Sequence, residues 1–129
     1  MAGHGDWVCQ NIRFRDGEVA ATFDWDSLIG VPEAVIAGLS AGAYTEGGTG
    51  DASAPSPEEA ALFLADYDAR RAARFTPSEQ AVAAAAAAWV IAYNARCGLS
   101  AMDHGLSPGA GSPPRVLERN RDGYRRVRW

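Results

Sequence analysis

Two short segments open helices in the same way, and they constrain the fold more than any other feature of the sequence. Ser56-Pro57-Glu58-Glu59 and Thr76-Pro77-Ser78-Glu79 each place a capping hydroxyl, then a proline, and a glutamate three positions after the cap. At this spacing the hydroxyl and the glutamate each accept a backbone N–H of the other residue, and a proline at the first helical position has no N–H to leave unpaired. The segments therefore predict helices over 57–73 and 77–97, with Gly98 ending the second.

Shorter helices are predicted on either side of this pair, over 32–43 and over 113–127. Segments rich in Gly and Pro predict loops over 46–56 and 103–114. Six consecutive alanines, 83–88, favour helix and leave room for a close neighbour.

A β-hairpin is predicted over 12–23, where apolar and polar residues alternate on both sides of Asp16-Gly17. This dipeptide is typical of two-residue hairpin turns, in which both positions tolerate positive φ. The chain of 129 residues is thus expected to form one α+β domain, mostly α. Residues 1–30 would carry the hairpin, and 31–129 the helices.

The hairpin brings three polar residues of the N-terminal region to one place. Asn11 precedes the first strand and Asp24 follows the second, while Asp6 lies five residues before Asn11. Because a hairpin returns the chain to its starting end, the side chains of all three are expected to converge. Phosphoryl transfer uses such a set: a carboxylate takes the hydroxyl proton, and an amide oxygen and a second carboxylate hold Mg²⁺ on the nucleotide.

The motifs His4-Gly5-Asp6-(four residues)-Asn11 and Phe23-Asp24-Trp25-Asp26 resemble those of the aminoglycoside phosphotransferase and choline kinase-like phosphotransferases. That family shares the protein-kinase fold, so the resemblance implies a catalytic-loop hairpin followed by C-lobe helices. It further implies Asp6 as catalytic base, Asn11 and Asp24 as Mg²⁺ ligands, His4 as a structural brace, and ATP as phosphoryl donor. The acceptor would be a hydroxyl of a small molecule that the sequence does not identify.

By this resemblance the 129 residues correspond to the C-terminal portion of the fold only, which would make residues 1–129 a partial C-lobe. The nucleotide-binding lobe would precede His4, and the chain contains no lysine to anchor a phosphate. We therefore expect the chain to be inactive in isolation, and to self-associate or to bind a partner that supplies the missing lobe. An alternative is a non-catalytic gene remnant or a partner subunit of a split kinase. A third hypothesis is a metal-dependent hydrolase that uses Asp6, Asp24, Asp26 and His104.

Other residues that could carry chemistry have simpler interpretations. His4 is expected to be buried and hydrogen-bonded, Cys9 to be a small buried residue, and His104 to be exposed in a loop. Trp89 and Tyr93, one helical turn apart, fit the core better than the wall of a substrate site.

Composition narrows the class of partner and the compartment. The net charge of −4 and the pI near 5.1 argue against a general nucleic-acid binder, although residues 115–129 hold six Arg against two acids. We interpret that segment as a solvated helix face. The apolar run 81–92 is shorter than a membrane span, and no signal peptide is recognisable at the start. With two cysteines and a bias to Ala and Arg that is typical of high-GC bacterial genes, a cytoplasmic protein is expected.

Overall fold

The computed structural model describes residues 1–45, 53–105 and 109–129, and it shows an α+β fold that is mostly α, as predicted. Within these described residues, four short strands and four helices follow one another. In order they are β1 (Ala2–His4), β2 (Ile12–Arg15), β3 (Glu18–Thr22), β4 (Leu28–Gly30), α1 (Glu33–Ala41), α2 (Pro57–Arg70), α3 (Pro77–Met102) and α4 (Pro113–Tyr124). Single 3₁₀ turns occupy Cys9–Asn11 and Trp25–Ser27.

The strands form two antiparallel pairs, β1 with β4 and β2 with β3. The second pair is the predicted hairpin, and its turn residues Asp16 and Gly17 both have positive φ, 52° and 84°. The first pair sets His4 opposite Leu28, which brings the N-terminus back beside the segment that follows the hairpin. The segment between β1 and β4, which contains the hairpin, therefore begins and ends at the same place.

Helix α1 packs directly on α3 through small residues, and this contact forms the centre of the core. A Cβ at Gly38 would lie 2.6 Å from the Cβ of Ala86, and closer still to the carbonyl oxygen of Ala83. A Cβ at Gly42 would likewise lie 2.6 Å from the carbonyl oxygen of Ala87. The alanine run thus brings two backbones together, as its small side chains predicted.

Helix α2 is fixed to α1 by a polar cluster. The Arg71 guanidinium donates to both carboxylate oxygens of Glu33, at 2.9 and 2.8 Å, and it lies 3.8 Å from the ring centre of Phe75. The Tyr67 hydroxyl donates to the same carboxylate at 3.0 Å. Buried Asp68 accepts the N–H of Phe75 at 2.7 Å, which fixes the chain as it enters α3.

Both predicted capping boxes are confirmed. Ser56 Oγ accepts the N–H of Glu59, and Glu59 Oε2 accepts the N–H of Ser56. Thr76 and Glu79 make the same reciprocal pair. The sequence alone therefore predicted where α2 and α3 begin.

The predicted helix ends were wrong at two places, each for a tertiary reason. Helix α2 ends at Arg70, because Arg71 takes an extended conformation in which its side chain binds Glu33. Helix α3 continues through Gly98 to Met102. A Cβ at Gly98 would lie 2.7 Å from Cγ of Pro114, so this glycine admits α4 rather than ending α3. The outer helices are also shorter than predicted: α1 covers Glu33–Ala41, and α4 covers Pro113–Tyr124.

Three further side chains differ from expectation. Trp89 and Tyr93 are not in the core; they stack on each other with ring centres 5.2 Å apart and are 58% and 47% exposed. Cys9 is exposed rather than buried, because its thiol lies at the surface and donates to the carbonyl of Tyr44 at 2.9 Å. Parts of the two predicted loops, residues 46–52 and 106–108, lie outside the described residues.

One helix among the described residues, Pro77–Ser100 within α3, is long and apolar enough to cross a membrane by length and composition alone.

Candidate functional site

The imidazole of His4 connects the loop that follows β1 to the end of the hairpin. His4 is buried, its Nδ1 accepts the backbone N–H of Asp6 at 3.2 Å, and its Nε2 lies 2.7 Å from the carbonyl oxygen of Phe23. A carbonyl only accepts, so Nε2 carries the proton and Nδ1 the lone pair. The rings of Trp7 and Trp25 lie edge-to-face with the imidazole, with ring centres 6.0 and 5.4 Å away. The expectation of a buried, hydrogen-bonded His4 is confirmed.

Asp6 and Asn11 are in direct contact. The Asn11 amide nitrogen donates to the Asp6 carboxylate Oδ2 and to the Asp6 carbonyl oxygen, both at 3.0 Å. Asn11 is buried and ends the 3₁₀ turn Cys9–Asn11, whereas Asp6 is partly exposed. These hydrogen bonds fix the orientation of the Asp6 carboxylate. They use the amide nitrogen of Asn11, so the amide oxygen of Asn11 is left on the side away from Asp6.

Asp24 returns to the same end of the hairpin. The N–H of Phe23, its neighbour, donates to the carbonyl oxygen of Asn11 at 2.9 Å. Asp24 itself has a left-handed backbone with φ 63°. Such a conformation is uncommon outside glycine and is tolerated best by Asp and Asn. Asp6, Asn11 and Asp24 are thus gathered where the hairpin begins and ends.

The Asp24 carboxylate lies in a crowded acidic environment. A hydrogen bond with Asp26, together with the negative charge of that residue, raises the pKa of Asp24, and the charge of Asp6 acts in the same direction. The hydroxyl of Ser27 donates to Asp24 Oδ2 at 3.2 Å and opposes this shift. Clustered negative charge of this kind is relieved by a proton or by a cation.

The donor set fits a hard divalent cation. Carboxylate oxygens of Asp24 and the amide oxygen of Asn11 are the ligand types that Mg²⁺ accepts, with water and phosphate oxygens completing its octahedron. Within residues 1–45, 53–105 and 109–129, no three His, Cys, Asp or Glu residues are grouped as a metal site. A cation held by these two residues would take its remaining ligands from water or from phosphate oxygens.

The residues of the hydrolase hypothesis are not brought together. His104 is exposed, as expected, and its Nδ1 contacts the carbonyl oxygen of Ser100 at 2.9 Å, within its own helix end. In the part of the chain that the structure describes, it is not grouped with Asp6, Asp24 and Asp26 as metal ligands. Among the described residues, the candidate site is therefore placed at the hairpin end, without His104.

Sequence analysis assigned no role to two residues that shape the site, Ser27 and Gly5. Ser27 donates to Asp24, and its carbonyl oxygen accepts the N–H of Gly5 at 2.8 Å. A Cβ at Gly5 would lie 3.0 Å from that oxygen, so glycine permits the close approach. A serine three residues after Asp24 is the one signal in the sequence that could have indicated this contact.

No protein-family model, curated protein or solved structure compared with this chain matches it.

Proposed function

We propose that this chain provides the catalytic base and metal ligands of an ATP-dependent phosphotransferase acting on a hydroxyl group of a small molecule, in the manner of the aminoglycoside phosphotransferase and choline kinase-like family. The observation that supports the proposal best is the Asp6–Asn11 contact at 3.0 Å beside the returning Asp24. Phosphoryl transfer depends on positioning and charge stabilisation, and these three side chains supply a base and two oxygen ligands.

Each residue then has a distinct role. Asp6 accepts the proton of the acceptor hydroxyl, and Asn11 holds its carboxylate in position through Nδ2. His4 positions Asp6 from behind, because its Nδ1 accepts the Asp6 N–H while Nε2–H donates to the hairpin end. Asn11 and Asp24 would hold Mg²⁺, which neutralises charge on the transferring phosphate when bound.

The hairpin is where the remainder of a nucleotide site would join. Its apolar side chains Phe14, Val19 and Phe23 are 64%, 49% and 49% exposed, as expected of a surface that another lobe covers. The chain has no lysine, so a cation for the phosphates would come from arginine or from a partner. The same exposure favours the second candidate, a partner subunit of a split kinase, which differs only in where the nucleotide lobe is encoded.

We further propose that the protein is cytoplasmic. Cys9 and Cys97 are both free and exposed, which suits a reducing compartment. The partners that follow from the chemistry are ATP, Mg²⁺ and a small hydroxyl compound, with neither nucleic acid nor membrane required.

Manganese titration of the ¹⁵N-labelled chain tests the proposal, since Mn²⁺ occupies magnesium sites and broadens nearby amide signals. Two aspartates make a matched pair for this purpose. Asp24 and Asp16 both have positive φ, at opposite ends of the hairpin, and asparagine tolerates that backbone in each place. We expect broadening centred on Asp6, Asn11 and Asp24 that is lost in Asp24→Asn and retained in Asp16→Asn.

Two outcomes would contradict the proposal. Broadening centred elsewhere would remove the metal site from the hairpin end. Equal loss in both variants would show that Mn²⁺ responds only to the general negative charge.

A further inference from the structure

Helix α3 presents a continuous apolar face that no described part of the chain covers. We call it the α3 outer face; it consists of Ala81, Val82, Ala85, Trp89, Ala92 and Tyr93, all exposed. Its large members Val82, Trp89 and Tyr93 are 42%, 58% and 47% exposed. Exposed apolar residues scattered singly need no explanation, but a contiguous stripe on one helix marks an interaction surface.

We propose that the α3 outer face is a homodimer interface, in which α3 pairs with α3 of a second copy in antiparallel orientation. The proposal is independent of the phosphotransferase function, because it uses no residue of the hairpin end.

The spacing of the face suits a helix partner. Val82, Ala85, Trp89, Ala92 and Arg96 follow one another at intervals of three and four residues, the pattern by which helices pack along a common seam. A lipid surface suits α3 less well, because its opposite side is already held by protein. Residues such as Ala84, Ala87 and Ile91 are buried there, so the helix is not free to be surrounded by lipid.

Side-chain size makes the face complementary to itself. A two-fold axis that crosses the seam at the height of Ala87, whose own side chain is on the buried side of α3, sets Trp89 against Ala85 of the second copy, and Val82 against Ala92 of the second copy. Each large side chain then meets a small one, which is how knobs enter holes between helices. In a parallel pair, Trp89 would instead meet Trp89 of the second copy and Val82 would meet Val82, so large side chains would face each other.

Charge selects the same orientation. Arg96 is exposed at one end of the face, and Glu79 lies beside its other end. In an antiparallel pair, Arg96 of each copy lies at the end of the seam that carries Glu79 of the other copy. Two-fold symmetry makes this juxtaposition occur twice. In a parallel pair arginine meets arginine and glutamate meets glutamate. Opposite charges fix register and orientation more than they add affinity.

The size of the face sets the expected strength. From Ser78 to Arg96 the seam is about 27 Å long at 1.5 Å per residue. A stable complex buries about 800 Å² on each partner, more than one helix stripe of this length provides. We therefore expect a dissociation constant in the micromolar range, roughly 1–100 µM.

Sedimentation equilibrium of the whole chain from 2 to 500 µM tests the proposal. We expect a monomer–dimer equilibrium without larger species. Ala85→Glu should raise the dissociation constant of the dimer roughly tenfold or more, because it places a charge against Trp89 of the second copy. The matched control is Ala69→Glu, which adds the same charge at an exposed alanine of α2 and should leave the equilibrium unchanged.

Circular dichroism separates loss of pairing from loss of folding, and Trp89→Gln provides a second variant with the same expected effect. A monomer at every concentration would overturn the proposal, whether or not the chain binds anionic vesicles. Association that Ala85→Glu leaves intact would also overturn it, and would direct attention to the exposed hairpin.

Discussion

At the scale of single residues, the Glu33 carboxylate connects several elements of the fold. It accepts from Arg71 twice and from Tyr67 once, and so joins α1 to α2 and to the chain that leads into α3. The hydrogen bonds from Arg71 outweigh the opposing effect of burial and lower the pKa of Glu33 below its ordinary 4.5. A carboxyl with a lowered pKa stabilises the fold above the pKa it has in the unfolded chain, and this stabilisation is lost as the pH falls through the folded value.

Replacing Glu33 by glutamine should therefore destabilise the protein in a pH-dependent way. Because the Glu33 side chain is 30% exposed, we expect a loss of about 1 kcal/mol in the free energy of unfolding at pH 7. Urea unfolding of wild type and Glu33→Gln between pH 3 and 7 is the measurement. The difference should be constant at neutral pH, should begin to fall near pH 4.5, and should vanish only when the pH passes below the lowered pKa of Glu33 in the folded protein.

The exposed Glu58 offers a control, since Glu58→Gln removes a carboxylate from α2 without touching the cluster. The free energy of unfolding of Glu58→Gln should lie within about 0.5 kcal/mol of that of the wild type. A Glu33→Gln difference that persisted unchanged at pH 3 would show that the carboxylate charge is not what stabilises the cluster.

At the scale of elements, the contact between α1 and α3 depends on the absence of side chains. Gly38 lies in the middle of α1, where alanine would normally be preferred by about 1 kcal/mol. Glycine is nevertheless required, because a Cβ there would meet the backbone carbonyl of Ala83 and the side chain of Ala86. A backbone cannot move aside as a flexible side chain can.

Gly38→Ala should accordingly destabilise the protein despite its better helix propensity. We expect a net loss of about 1–3 kcal/mol, measured by thermal or urea unfolding. Gly30→Ala is the control, because no atom lies within 4 Å of a Cβ built at Gly30. A neutral or stabilising Gly38→Ala would mean that α1 and α3 separate easily.

The sequence predicted local features of these elements better than their limits. Caps such as Ser56 and Thr76, and the Asp16 turn, are encoded by neighbours in the chain, so they could be predicted without knowing the fold. The end of α3 could not, because the role of Gly98 depends on Pro114, which packs against it from another helix. Trp89 was misplaced for a related reason, since an apolar residue on a helix does not reveal whether a neighbour covers it.

The sequence likewise predicted one part of the candidate site and not another. The return of Asp24 to Asn11 followed from the hairpin, and the bond between Asn11 and Asp6 is consistent with the predicted convergence. The contribution of Ser27 depends on the left-handed backbone of Asp24, which residue spacing alone does not predict.

At the scale of the whole molecule, the proposed site supplies only part of what phosphoryl transfer needs. In the proposed function Asp6 would serve as the base, and Asn11 and Asp24 would serve as two metal ligands. Arg13 and Arg15, the first arginines after Asn11 in the sequence, are exposed on β2, which leads away from the site. On the proposed function, we expect a partner to supply the pocket for adenine and to complete the cationic clamp on the phosphates.

We therefore expect the isolated chain to bind Mg-ATP too weakly for calorimetry at micromolar concentration, and to phosphorylate no small hydroxyl compound. Two protein oxygens give Mg²⁺ few of its six ligands, and Mg²⁺ dehydrates reluctantly. Without the phosphates held in line, positioning contributes little to the rate. Isothermal titration with Mg-ATP and a radiolabelled transfer assay are the measurements.

The contrary result would be informative because the hairpin variants can locate it. Micromolar binding that persists in Asp16→Asn and disappears in Asp24→Asn would show that the chain completes a nucleotide site by itself. If that binding also rose with protein concentration and fell in Ala85→Glu, the second copy across α3 would be required for it. Binding unaffected by Asp24→Asn would lie elsewhere on the molecule and would count against the hairpin end as the phosphate site.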